Sequence, residues 1–282
     1  TFYNFMMKKE IYWEKALKQT ELSIKKNCLF PLKTIDITND IYNSSDFIIR
    51  KLDTSIFYKS RIFGPKPNPF RPWETILEID RIGSNHQLIL NKYPVQKGHL
   101  LLITNTWKPQ NGWLELEDWE AIKEVNMDTS GLWFFNSCRE AGASQPHRHI
   151  QLLRRNSYDK ACPRENWFLD YMESKIGDTK LFKSVIVNNI DMKNSAESLY
   201  QIYLDLSSKI GLGSPKTDHN PKSAYNILLT NNWIALIRRT RDNVYGFSIN
   251  SLGFAGYLLV TRISNNNYLK KNGPEKLLEN FV

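Results

Sequence analysis

His147, His149 and Gln151 stand at alternate positions in this 282-residue chain. On a β-strand that spacing points all three side chains to one face of the sheet. The residues before them, Gly142 through Pro146, read Gly-Ala-Ser-Gln-Pro, and their small side chains let a backbone approach an anion closely. An imidazole beside a phosphate cradle points to a nucleophile that attacks phosphorus while the protein supplies position and charge stabilisation. Taken alone, a His-x-His pair is more often a surface pair or half of a metal site.

The longer string from Gly142 to Gln151 resembles the transferase branch of the histidine triad superfamily, where His-x-His-x-Gln follows Gly-x-Ser-Gln. Within that branch it is similar to the diadenosine tetraphosphate phosphorylase (ATP adenylyltransferase) family. Further segments follow the family's order across roughly residues 60 to 260. They are Asn91-Lys-Tyr-Pro-Val95, Asn136 six residues before Gly142, Tyr225 to Thr230, Trp233 to Arg239, and Asn250 to Gly256. The resemblance implies an α+β fold of histidine-triad-like antiparallel sheets flanked by helices, related to galactose-1-phosphate uridylyltransferase.

The same resemblance implies a nucleotidyltransferase that converts diadenosine tetraphosphate and inorganic phosphate to ATP and ADP. His149 would attack the α-phosphorus and carry the adenylyl group, with His147 orienting it. Ser144, Gln145 and the backbone at Gly142 and Ala143 would bind phosphoryl oxygens. Gln151 stands where the hydrolase branch has a third histidine; an amide hydrogen-bonds a phosphate but delivers no proton at neutral pH, which fits transfer better than hydrolysis. Lys66 from a proline-stiffened loop, Asn91, Lys92, Asn136, Asn226 and Arg239 (or its neighbour Arg238) would contact the nucleotide or neutralise polyphosphate. No tightly bound cofactor is expected, with Mg2+ at most carried in with the nucleotide.

Other chemistries remain open at this point. A related transferase could use a UDP-sugar donor or a sulfate acceptor, although uridylyltransferases commonly place Pro between the histidines, where this chain has Arg148. Metal-dependent hydrolysis through His147 and His149 needs further ligands that the sequence does not nominate. A basic RNA-binding protein without activity is the reading from a different class, and it rests on charge alone.

Composition bounds the rest. The chain is 41% hydrophobic and 24% charged, as in a soluble globular protein, and no apolar run reaches membrane-spanning length. The N-terminus lacks the apolar core of a secretion signal. Cys28, Cys138 and Cys162 lack Cys-x-x-Cys spacing, which argues for a reducing cytoplasm and against structural zinc. The net charge of +9 is scattered in pairs, so a solvated surface explains most of it, and the charge alone does not choose between a nucleic-acid-binding surface and a field that draws in polyphosphate. The expected partners are diadenosine tetraphosphate, ATP, ADP and phosphate, with no nucleic acid and no membrane, in a monomer or homodimer.

Periodicity places the elements that must carry the site. A helix is expected over 6–26, with Ile11, Ala16, Leu17 and Leu22 on its apolar stripe. A strand is expected over 55–63 and a loop over 64–73. Two strands beginning at His86 and His99 flank a turn at Gln96-Lys-Gly98, and both histidines read as satisfied polar residues outside the site. A helix over 116–125 and a strand over 131–137 lead to the motif strand, 147–153, which should pair with 132–137. The chain should divide into an N-terminal catalytic half, 1–160, and a C-terminal half, 161–282, packed as one unit. Helices over 165–176 and 196–210, a strand over 184–187 and a loop with His219 in solvent fill the second half. Strands 224–230 and 233–239 form a hairpin about Asn231-Asn232. Gly253 and Gly256 should permit close packing.

Overall fold

The computed structural model describes residues 9–42, 45–53, 70, 72–154 and 161–282. Two short strands, β1 (Thr34–Asp36) and β2 (Ile48–Leu52), come first and pair with each other. The next eight are β3 (Glu78–Ile82), β4 (His86–Leu90), β5 (Leu100–Thr104), β6 (Leu132–Asn136), β7 (His149–Leu153), β8 (Val185–Asn189), β9 (Ala224–Leu229) and β10 (Trp233–Arg239). They form one sheet in the order β3-β4-β5-β7-β6-β9-β10-β8, with every neighbouring pair antiparallel. A small ribbon, β11 (Asn243–Val244) and β12 (Phe247–Ser248), precedes β13 (Tyr257–Val260). β13 runs parallel to β2, a departure from the all-antiparallel expectation. The main sheet crosses the expected boundary at 160, because β6 pairs with β9.

Alternation along these strands makes two cores. One face carries Leu88, Leu102, Trp133, Ile150, Leu152 and Ile227 and is covered by the helices α1 (Ile11–Lys25), α3 (Leu116–Asp128) and α6 (Ala196–Lys209). The short helix α2 (Thr38–Ile41) lies between β1 and β2 in sequence. The other face carries Leu132, Phe134, Leu153, Leu228, Ala235 and Ile237. It is covered by residues of β2, β13, α4 (Glu165–Met172), α7 (Ser251–Phe254) and α8 (Asn266–Leu278), with α5 (Lys180–Lys183) at its side. Each large side chain so buried contributes about 1.5–3 kcal/mol, which is why the strands hold one register.

Some expectations shift. α1 docks only in part through the stripe read from its sequence: Ala16 is buried, but Ile11 and Leu22 are 43% and 41% exposed, while Thr20 and Ser23, outside the stripe, are buried. Small residues bring the helix close, and Ser23 Oγ donates to the Ile76 carbonyl at 3.1 Å. The helix expected over 165–176 ends at Met172, just before Ser174 in a left-handed conformation (φ 57°). The expected strand at 55–63 and most of the proline loop, including Lys66, lie outside the described residues. No described helix is long and apolar enough to cross a membrane.

Candidate active site

β7 lies between β5 and β6, so His149 and Gln151 share a face with Ile103 and Leu101, their register partners. His147 stands just before the strand, in an isolated bridge with Pro109. The β6–β7 ladder runs from Leu132↔Leu153 to Phe134↔Gln151. Beyond it the side chain of Gln110 enters between the strands. Its Oε1 accepts from the His149 backbone N–H at 2.8 Å, and its Nε2 donates to the Asn136 and His149 carbonyls at 2.7 and 3.1 Å. A buried side-chain amide thus replaces the missing ladder bonds and fixes the backbone of His149.

The imidazole of His149 bonds through Nδ1 to the His147 carbonyl at 2.8 Å. A carbonyl only accepts, so Nδ1 carries the proton and Nε2 keeps its lone pair. Burial lowers the pKa of His149 to about 4; the bond to the His147 carbonyl opposes that shift, and neighbouring His147 adds to it. The ring is therefore neutral at physiological pH. Phe70 presents an edge-to-face contact to both imidazoles, at 5.6 Å each. His147 holds its neighbour through its backbone, while its own Nε2 bonds to the carbonyl and hydroxyl of Thr104, both at 2.9 Å.

Gln151 is held from β5. His99 Nδ1 accepts from the Asn91 amide at 3.3 Å and lies 3.5 Å from the Val95 N–H, so its proton sits on Nε2, which donates to Gln151 Oε1 at 2.9 Å. With its oxygen engaged, the Gln151 amide keeps its two N–H donors for another acceptor. Burial pushes the pKa of His99 down to about 3, the bond to Gln151 opposing that and His149 adding to it. His99 was expected outside the site; it is a satisfied buried histidine, but its partner is the motif glutamine. Asn91 therefore reaches Gln151 through His99, and its Oδ1 accepts from Tyr93 N at 2.9 Å. Lys92 is ion-paired with Glu74.

The turn before the motif is built by Gly142 in a left-handed conformation (φ +88°), where an added Cβ would lie 2.5 Å from the Cβ of Asn250. The amides of Gly142 and Ala143 already donate to the Arg139 and Cys138 carbonyls, at 2.8 and 2.9 Å. Those two amides are thus committed to the turn, which corrects the expectation that they face phosphate. The amides of Ser144 and Gln145 have no acceptor among the described residues, and the Ser144 side chain is exposed.

Asn136, Asn226 and Arg239 meet in one buried network. Asn136 Oδ1 accepts from Asn226 Nδ2 at 2.8 Å, Ser251 N at 2.9 Å and Ser251 Oγ at 2.6 Å. Its Nδ2 is buried with no partner among the described residues. Arg239 donates to the carbonyls of Phe281, Ala141, Arg241 and Ile249 and to Asn226 Oδ1. All five guanidinium N–H groups are engaged, so Arg239 has none left for a phosphate in this arrangement. Asn226 likewise donates through Nδ2 to Asn136 Oδ1 and the Ala141 carbonyl, and its Oδ1 accepts from Arg239. Both residues were expected at the nucleotide; they hold the carbonyl that precedes Gly142 instead. Burial lowers the Arg239 pKa to about 10, which leaves it charged. Arg238 is exposed.

A groove of roughly 960 Å³ opens beside this turn, bounded by Gly142, Asn250, Gly253, Leu153 and Gln96 on one side and by β1, β2 and β13 on the other. Such a volume lies within the range of small-molecule and cofactor pockets. Among the described residues, no three His, Cys, Asp or Glu side chains are grouped to hold a metal. Gln110, Thr104, His99 and Ser251 went unread in the sequence as parts of this site. His99 was read as a satisfied polar residue at a strand end, and only the pairing of β5 with β7 brings it to the motif.

Two family models match in succession: the Ap4A phosphorylase N-terminal domain over residues 3–166 and the ATP adenylyltransferase C-terminal domain over residues 176–282. Among curated proteins of Saccharomyces cerevisiae, Protein APA1 is 26% identical over 216 residues, 67% of this chain and 67% of its own length. Diadenosine 5',5'''-P1,P4-tetraphosphate phosphorylase 2 is 26% identical over 228 residues, 71% of this chain and 70% of its own length. The fold matches the crystal structure of yeast Ap4A phosphorylase Apa2 in complex with AMP at a TM-score of 0.72 and 20% identity, covering 97% and 96% of the two chains. The same yeast protein in complex with Ap4A matches at 0.72 and 18% identity, covering 98% and 97%.

Proposed function

This chain belongs to the Ap4A phosphorylase–ATP adenylyltransferase family, and from that premise we propose that it phosphorolyses diadenosine tetraphosphate through an adenylyl group carried on His149. The observation that carries the step is the bond from His149 Nδ1 to the His147 carbonyl, which leaves Nε2 unprotonated. In the first half-reaction Nε2 attacks the α-phosphorus of one adenosine, the P–O bond to the bridging oxygen breaks, and ATP leaves. The ring now carries a positive charge, because Nδ1 keeps its proton. The His147 carbonyl stabilises that cation, so one hydrogen bond serves both the resting tautomer and the intermediate. In the second half-reaction an oxygen of inorganic phosphate attacks the same phosphorus, the P–N bond breaks, and ADP departs.

Charge that builds on the α-phosphoryl oxygens needs donors already in place. The amides of Ser144 and Gln145 and the Nδ2 of Asn136, which have no partner among the described residues, together with the Nε2 of Gln151, are those donors. The groove beside Gly142 would take a nucleoside, with its phosphates directed along the turn. Lys66 would neutralise polyphosphate from the proline-rich loop. Lys92 would do the same only after exchanging Glu74 for a phosphate oxygen.

The test is chromatography of products from diadenosine tetraphosphate, with and without inorganic phosphate, using wild type and His149→Ala. The reading requires ATP and ADP only when phosphate is present, and their loss in the variant. Turnover by His149→Ala would remove His149 as the carrier.

A further inference from the structure

Between the two histidines stands Arg148, whose side chain leaves by the opposite face of the sheet and is 2% exposed. There its guanidinium donates through NH1 to Asp118 Oδ2 at 2.9 Å and Glu115 Oε1 at 3.3 Å, and through NH2 to the Pro109 carbonyl at 3.2 Å. Asp118, fully buried in the first turn of α3, also takes His86 Nε2 on its other oxygen at 2.9 Å and the Glu115 N–H at 2.9 Å. Gly112 leaves the space that the guanidinium fills, since a Cβ there would lie 2.8 Å from NH2. Such an arrangement lies behind the site and touches no reacting atom.

One peptide group joins the back of the sheet to the front. The His147 carbonyl, which accepts from His149 Nδ1, and the Arg148 N–H, which donates to the Lys108 carbonyl at 2.9 Å, belong to the same planar amide. The orientation of that plane decides whether the carbonyl faces the imidazole. Arg148 grips α3 on one side of the plane while its own N–H is held in the plane. We infer that Arg148 and Asp118 are positioning residues for the transfer reaction: their ion pair on the back of the sheet sets the 147–148 amide, and the amide sets the tautomer of His149.

This inference rests on His149 as the adenylyl carrier, and its test therefore reads the imidazole directly as well as turnover. Wild type, Arg148→Met, Arg148→Lys and Asp118→Asn are labelled with 15N-histidine and examined in the resting state, with His149→Ala to assign the resonances. Wild type should show a protonated Nδ1 and an unprotonated Nε2 at His149. In Arg148→Met the two nitrogens should move toward an averaged, mixed-tautomer position. Its kcat for diadenosine tetraphosphate should fall about tenfold or more, with KM within about twofold, the pattern of a lost transition-state interaction. Arg148→Lys should recover most of both signals. If Arg148→Met does not fold, the isosteric Asp118→Asn carries the same expectation. An unchanged His149 spectrum with normal kcat in a folded variant, whatever its melting temperature, would overturn the inference. If no variant or wild type consumes the dinucleotide, the activity reading fails, while the tautomer shift still decides the positioning role.

Discussion

His99 Nε2 donates to Gln151 Oε1 at 2.9 Å, which gives the motif glutamine a fixed polarity. The bond turns an amide that could present either end into one that presents N–H groups. Replacing His99 by Phe keeps a flat ring against Phe134 but removes the donor. The Gln151 amide is then free to rotate its acceptor toward the substrate's anionic oxygens. Loss of a preorganised donor costs about a hundredfold or more when direct. Acting through Gln151, His99→Phe should lower kcat by about tenfold to a hundredfold, with KM for the dinucleotide changed far less. Steady-state kinetics checks this, and a kcat within twofold of wild type, to order of magnitude, would show that His99 only fills space.

The buried imidazoles set the pH behaviour. Burial holds His149 near a pKa of about 4 and His99 near about 3, against an ordinary value of 6.5. As the proposed nucleophile, His149 stays neutral well below pH 6.5, so the kcat/KM profile should have its acid limb near the depressed His149 value. Stability follows the same groups. Unfolding raises both pKa values to the ordinary one, so below about pH 6.5 the unfolded chain binds protons that the folded chain refuses. The stabilisation from these two neutral histidines is complete above that pH and is lost as pH falls toward their folded values. Melting temperatures between about pH 4 and 8 should fall on the acid side, and less so in His99→Phe. An acid limb at the ordinary histidine value would mean that His149 is open to water.

The motif strand, its pairing with 132–137 and the 224–239 hairpin were legible because period-two patterns with turn signals specify them locally. That His149 and Gln151 share one face of the sheet was legible for the same reason: two residues on one strand need no knowledge of topology. Gln110 and Ser251 were not, because nothing local marks a glutamine that will enter between strands 26 and 39 positions away. The surroundings of Arg239 were not legible, because an arginine near the end of a strand looks alike whether its donors meet carbonyls or an anion. Only the carbonyls of Ala141, Ile249 and Phe281, brought together by the fold, decide between them. The stripe on α1 held only at Ala16, because periodicity reports apolar residues, whereas this helix also buries Thr20 and Ser23 through hydrogen bonds.

Gln151 offers a test of transfer against hydrolysis. An amide has no proton to give, and an imidazole does. In Gln151→His, the His99 N–H would still donate to one nitrogen of the new ring and leave the other, protonated, toward the site. Water attacking the adenylyl-His149 phosphorus would then break the P–N bond and release AMP. AMP should appear alongside ATP in reactions without phosphate, where wild type gives none, and the phosphate-dependent rate should drop. Product chromatography reads both. Absence of AMP at any phosphate concentration would mean that water is excluded by shape and not by the chemistry of this position.

Arg239 separates a phosphate ligand from a residue that holds the turn. Lysine at 239 keeps the charge but has three N–H groups where the guanidinium has five, and they cannot span carbonyls as far apart as those of Ala141, Ile249 and Phe281. At least one buried carbonyl, together with Asn226 Oδ1, loses its donor, at about 1–3 kcal/mol for each group. For a chain of this size that should lower the melting temperature of Arg239→Lys by roughly 5–10 °C. Below that temperature the variant should keep a KM for phosphate within about threefold of wild type, because the lost contacts are to the protein and not to the acceptor. Its kcat should fall, since the Ala141 carbonyl that anchors Gly142 is no longer gripped from β10. Calorimetry and phosphate titrations on the same preparation give the answer. A phosphate KM raised tenfold or more (about 1.4 kcal/mol) with an unshifted melting curve would restore Arg239 as the acceptor's ligand.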